Sequence, residues 1–170
     1  MKTQKRLLTW ILVAVLVVAT LVLVACVDKP QKIALDDLKL PEMDDDQMAL
    51  IIKNRDDTYT AYVVTLGRRG TDATTVEEVI SYLVEQGQLT VDWTDGGETG
   101  KWLNDLGGLE PDSAAHEYVA IYTSVESDWS AGAGEIGYQI DEITVAYSGY
   151  GVSGMRVQAG AVIYFELQTW

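Results

Sequence analysis

Three observations on this 170-residue chain predict an α+β domain in which one amphipathic helix packs on one face of a mixed sheet. Thr75–Gln86 alone carries an apolar stripe at helical spacing, since Val76, Val79, Ile80, Leu83 and Val84 follow i, i+3, i+4. The other apolar runs after residue 47 are short, and they either alternate with a period of two or are rich in β-branched and aromatic residues. A lone helix among strands must bury its stripe, and a sheet face is the surface that can receive it.

Taken in order, Met48–Asn54 is aliphatic, Arg55-Asp56-Asp57 is turn chemistry and Thr58–Leu66 is β-branched and aromatic, which makes a hairpin. Thr75 and Glu78 are the two ends of a capping box that starts the helix, and Gly87 stops it. Leu89–Thr94 leads through the polar loop Asp95–Gly100 into a short run at Lys101–Leu106, closed by Gly107-Gly108. Tyr118–Ser124 and Ile143–Tyr147 alternate as half-buried strands around a glycine-rich insertion at Ser130–Gly137. In the last run, Val162–Thr169, Ile163, Phe165 and Leu167 share one face while Tyr164, Glu166 and Gln168 share the other. The order β-β-α-β-β-β is that of a β-grasp.

The N-terminus reads as an address. Lys2, Lys5 and Arg6 precede a charge-free, mostly apolar stretch from Leu7 to Ala25, the n-region and h-region of an export signal. Leu23-Val24-Ala25-Cys26 resembles the box of bacterial lipoprotein signals, which are cut before the cysteine and acylated on its thiol. The expected division is a signal peptide at 1–25, a lipidated N-terminus and acidic tether at 26–47, and a folded domain at 48–170, held at the extracytoplasmic face of a bacterial membrane by Cys26. The competing reading is an uncleaved membrane helix, because the same run is long enough to span a hydrocarbon core. Val27–Gln47 carries Pro30, Pro41 and the triplet Asp44-Asp45-Asp46 without a sustained apolar period. A flexible tether of that length reaches roughly 25 Å. Three adjacent aspartates diverge, so they read as a solvated run rather than a calcium loop.

Charge narrows the partners. The formal charge is −14, and removal of Lys2, Lys5 and Arg6 with the signal leaves −17, a surface that repels nucleic acid and anionic headgroups. Cys26 is the sole cysteine, so once it is lipidated no disulfide holds the fold. Gly149-Tyr150-Gly151-Val152-Ser153-Gly154 spells a dinucleotide fingerprint, but it runs into another strand rather than a helix and reads as a sheet-edge turn. Ser153 lacks the second glycine of a nucleophile elbow, and His116 is the only histidine that could serve it as a base. One histidine and scattered carboxylates form no recognised metal shell. No catalytic residue, metal ligand or cofactor site is therefore expected.

Aromatic residues carry the functional expectation instead. Trp93 and Trp102 flank one loop, Tyr147 and Tyr150 flank the glycine turn, and Trp129 sits in the insertion among polar neighbours. The β-grasp order could bring these rings to one end of the sheet, where they would stack on a flat ligand or a sugar. Acidic surroundings would favour neutral or cationic ligands over phosphorylated ones.

From Thr75 onward the chain resembles the transcobalamin C-terminal-like domains that bacteria carry on secreted proteins and lipoproteins. The resemblance rests on the order of several motifs: Thr75-Val76; Gly100-Lys101-Trp102-Leu103 with Gly107-Gly108; Tyr118–Tyr122; Gly149-Tyr150-Gly151-Val152; and Gly160-Ala161 before Val162-Ile163-Tyr164-Phe165. It departs from that pattern at Val119, at Ala161 and in the longer stretch Val125–Glu142. The resemblance implies a β-grasp ligand-binding fold, with corrinoid as one candidate ligand, although this chain has no helical domain to form the other half of a corrinoid clamp. The function expected is a non-catalytic, lipid-anchored module that binds a small molecule or partner protein, in association with a membrane transporter. The alternative is a surface structural or adhesion module that contacts cell wall or protein.

Overall fold

The computed structural model describes residues 31–34, 38–97, 100–131 and 137–170. The expected signal peptide, Cys26 and the first part of the tether lie outside the described residues, as do Glu98, Thr99 and residues 132–136 of the insertion. The elements are β1 (Gln31–Ala34), β2 (Gln47–Lys53), β3 (Thr58–Thr65), α1 (Val76–Glu85), β4 (Val91–Asp95), β5 (Lys101–Leu106), β6 (Glu117–Thr123), β7 (Gly137–Ile140), β8 (Ile143–Tyr147) and β9 (Val162–Thr169). Strands order as β1-β3-β2-β9-β6-β8-β7 in one mixed sheet, with β4-β5 as a separate hairpin. The C-terminal strand β9 inserts between β2 and β6, parallel to the first and antiparallel to the second. This is the α+β, β-grasp arrangement expected from the element order.

The helix is built by its own ends. Thr75 accepts from the Glu78 amide, and the Glu78 carboxylate accepts from the amides of Thr74 and Thr75, completing the capping box. The backbone and hydroxyl of Thr74, followed by the Thr75 amide, hold the Glu78 carboxyl below the usual carboxylate range. The Val76 and Glu77 amides donate to the carbonyls of Met155 and Val152, so the first turn is also stitched to the turn before β9. At the other end Gly87 takes φ +67°, and the amides of Gly87 and Gln88 close onto Val84 and Leu83. Val76, Val79, Ile80 and Leu83 are fully buried against the sheet. Val84, counted in the stripe from its spacing, is 38 % exposed; it lies at the border of the buried face.

Both faces of the sheet are apolar, which explains why Val162–Phe165 of β9 are all buried. Met48, Leu50, Ile52, Ile163 and Phe165 face the helix, whereas Ala49, Ile51, Tyr59, Tyr122, Val162 and Tyr164 form a second core on the opposite face. That second core must be covered as well, and Leu38, Leu40 and Met43 pack against it. Two parts of the segment expected as tether thus belong to the described fold: β1 extends the sheet along β3, and residues 38–43 shield its far face. The insertion before Ile143 likewise contributes the edge strand β7, paired to β8. The strands β4 and β5 pair only with each other among the described residues, with a register shift between Asp92 and Trp93, and stand apart from the main sheet.

Candidate functional site

A groove of about 850 Å³ opens between the β4-β5 hairpin, the edge of β6 and the glycine turn after β8. It exists because β8 pairs with β6 only at Tyr122 and Thr123, so the strands part beyond that point. The Ser148 amide, just past β8, still reaches the Ile121 carbonyl at 2.8 Å and marks where the opening begins. Tyr118, Val119 and Ile121 of β6 line the floor.

Three of the five aromatic residues singled out above, Trp102, Tyr147 and Tyr150, line this groove. Trp102 and Tyr150 are 62 % and 53 % exposed, so each presents much of its ring area to the groove and to solvent. Two glycines set Trp102 in place. A Cβ at Gly96 would lie 2.3 Å from Trp102 Nε1, so only glycine lets the indole lie against the loop. Gly100 takes φ +81°, and a Cβ there would lie 2.7 Å from Ser153 Oγ, the atom that accepts from the Lys101 amide at 3.0 Å. That last bond ties the hairpin to the glycine turn across the mouth of the groove.

Tyr147 is half-buried, its ring edge-on to Tyr122 with centroids 5.6 Å apart. Burial first, then the neighbouring Tyr118 hydroxyl, push its phenol up to about 12, so it is neutral at physiological pH. Among the described lining residues the only formal charge is Lys101, beside the hydroxyls of Ser130, Ser148 and Ser153. Among the described lining residues the acidity of the surface does not extend into the groove wall.

Trp93 and Trp129 are placed elsewhere. Trp93 is partly buried against the helix-side core, on the β4-β5 hairpin. Trp129 spends its indole N–H on the Thr123 carbonyl at 2.7 Å and forms a bridge with Ser148, anchoring the loop behind the groove. Asp128 beside it is 1 % exposed and organises the same region: its carboxylate accepts from the Arg156 amide and the Ser127 hydroxyl, and its carbonyl accepts from the Gly149 amide. Sequence reasoning missed Asp128, Ser148 and Ser153 as the residues that hold the groove in shape. A serine beside glycines looks the same whether it ties two loops together or faces water.

The weaker motifs also resolve into structure. In the glycine turn, Val152 and Met155 are fully buried, and their carbonyls take up helix amides that a dinucleotide site would leave for phosphate. Ser153 accepts from a backbone amide, while His116, at φ +57°, packs its ring edge-on against Trp170 at 5.5 Å. No three His, Cys, Asp or Glu side chains converge as a metal site among the described residues.

No protein-family model matches the chain, and no curated protein matches it. Among solved structures, the chain is similar to a protein from Ruminococcus gnavus described as a “putative metal binding protein”, at 15 % sequence identity over 73 % of this chain and 97 % of that one, with a TM-score of 0.48. A likeness of that degree transfers no chemistry to this chain.

Proposed function

We propose that the protein is a non-catalytic binding module, lipid-anchored at the extracytoplasmic face through Cys26, whose groove takes a flat small molecule. The observation that carries the reading is the convergence of Trp102, Tyr147 and Tyr150 on one groove of about 850 Å³. Rings offer contact area at little cost in conformational entropy, and the serines and Lys101 offer polar groups to orient a ligand. Concavity with converging polar groups favours a small molecule over the flat patch suited to an adhesion surface. The single cation among the described lining residues disfavours cationic ligands, and the resemblance to transcobalamin C-terminal-like domains puts corrinoids first among candidates, ahead of other vitamins and glycans. Delivery to a membrane transporter is the physiological role this reading implies.

Titration calorimetry of the full chain in detergent, against corrinoids and then other vitamins and glycans, tests the groove. Trp102→Ala is expected to weaken binding about tenfold, through lost stacking and contact area, while the domain stays folded with only a small fall in melting temperature because most of the ring is exposed. Unaltered affinity in that variant would remove the groove as the site. The anchor is tested by intact mass of membrane-extracted protein: the expected mature chain begins at an acylated Cys26, and Cys26→Ala is expected to abolish the lipid. A mature chain beginning at Met1 would replace the lipid with a membrane helix.

A further inference from the structure

A second cavity, about 300 Å³, lies on the sheet face opposite α1, bordered by Leu38, Lys53, Tyr59, Tyr138, Tyr164 and Glu166. Glu166 is 5 % exposed. Its Oε1 accepts from the Tyr138 hydroxyl at 2.6 Å and from Gln168 Nε2 at 3.1 Å, and its Oε2 accepts from the Tyr164 hydroxyl at 3.0 Å. All three donors are neutral, since burial, with the nearby Glu166 charge reinforcing it, pushes the Tyr138 phenol up to about 12 and Tyr164 further still. Both carboxylate oxygens thus accept from neutral donors, and among the described residues no cation is paired with the charge. Lys53 borders the cavity, but its ammonium sits 3.3 Å from Asp57 Oδ1.

A buried anion without a counter-charge is costly, and a cation entering beside it removes that cost. The surrounding walls suit one kind of cation. Tyr138 and Tyr164 meet at 76° with centroids 5.4 Å apart, and Tyr59 and Tyr164 at 39° and 6.1 Å, so the rings are inclined to each other rather than stacked. Aromatic faces attract alkylammonium groups, whereas a hard metal ion needs several charged or carbonyl oxygens that are not gathered here. The net charge of −14 raises the local concentration of any cation. We propose that this cavity is a binding site for an organic ammonium ion, held by the Glu166 carboxylate and enclosed by Tyr59, Tyr138 and Tyr164. It shares no described lining residue with the groove.

Calorimetric titration of the full chain with choline, and with its uncharged isostere 3,3-dimethylbutan-1-ol, tests the site. Choline is expected to bind saturably and about tenfold tighter than the alcohol. Glu166→Gln keeps the side chain's size and an acceptor oxygen but removes the charge, and is expected to diminish that preference, leaving only the part that the tyrosine faces supply. Lys53→Gln removes a repelling charge at the border and is expected to tighten choline binding, while Trp102→Ala is expected to leave it unchanged. Equal affinity for choline and the alcohol, no saturable binding of choline, or an undiminished preference in a folded Glu166→Gln variant would overturn the proposal. Should Glu166→Gln fail to fold, choline affinity unchanged by Lys53→Gln overturns it equally.

Discussion

Truncation of Phe165 to alanine is expected to lower stability by about 3–5 kcal/mol, the largest effect of any single change considered for this domain. Phe165 is fully buried and stands in register with Ile52 of β2 and Ile121 of β6, so its ring occupies the seam where β9 joins the two halves of the sheet. Alanine there leaves the backbone ladder intact and removes the ring, so the cost is a cavity beneath α1 rather than lost hydrogen bonds. Ile121 also lines the groove, and its loosened packing is expected to weaken groove binding under conditions where the variant remains folded. Urea unfolding with an unchanged m-value measures the first effect. A loss below about 1 kcal/mol would place the centre of the core elsewhere.

Leu83→Ala is expected to cost about 2–5 kcal/mol for a related reason on the helix side of the same core. Leu83 is fully buried, and its carbonyl accepts from Gln88 and Leu89, bonds that alanine preserves. The neighbouring Val84 provides the control. It is 38 % exposed, so Val84→Ala is expected to change stability by no more than about 0.5 kcal/mol. Equal losses in the two variants would mean that α1 presents a different face to the sheet.

Much of the fold was legible along the chain because the signals involved act over a few residues. A capping box spans Thr75 to Glu78, a stop needs only Gly87, and strand periodicity repeats every second residue; the described helix and the runs at Thr58–Thr65, Ile143–Tyr147 and Val162–Thr169 follow those signals closely. Val84 shows the limit, since spacing gives an angle around the helix but not the edge of the buried face. Leu38, Leu40 and Met43 show another. Among prolines and aspartates they resemble tether, and only the existence of a second apolar sheet face gives them somewhere to go.

The sequence by itself determined the helix, its ends, the alternating faces of β9 and the β-grasp order, because each depends on neighbours in the chain. Tertiary structure alone decided which aromatics meet: β8 diverges from β6 and brings Tyr147 and Tyr150 opposite Trp102, while Trp93 and Trp129 are used in packing and anchoring. It also decided the fate of Glu166. Alternation put Tyr164, Glu166 and Gln168 on one face, a pattern shared by a solvated strand and a buried polar network. Pairing of β9 with β2 and β6, and of β7 with β8, surrounds that face with tyrosines and leaves Glu166 5 % exposed. Such contacts join residues far apart in the chain, and their register is set by the packing of the whole sheet rather than by any local preference.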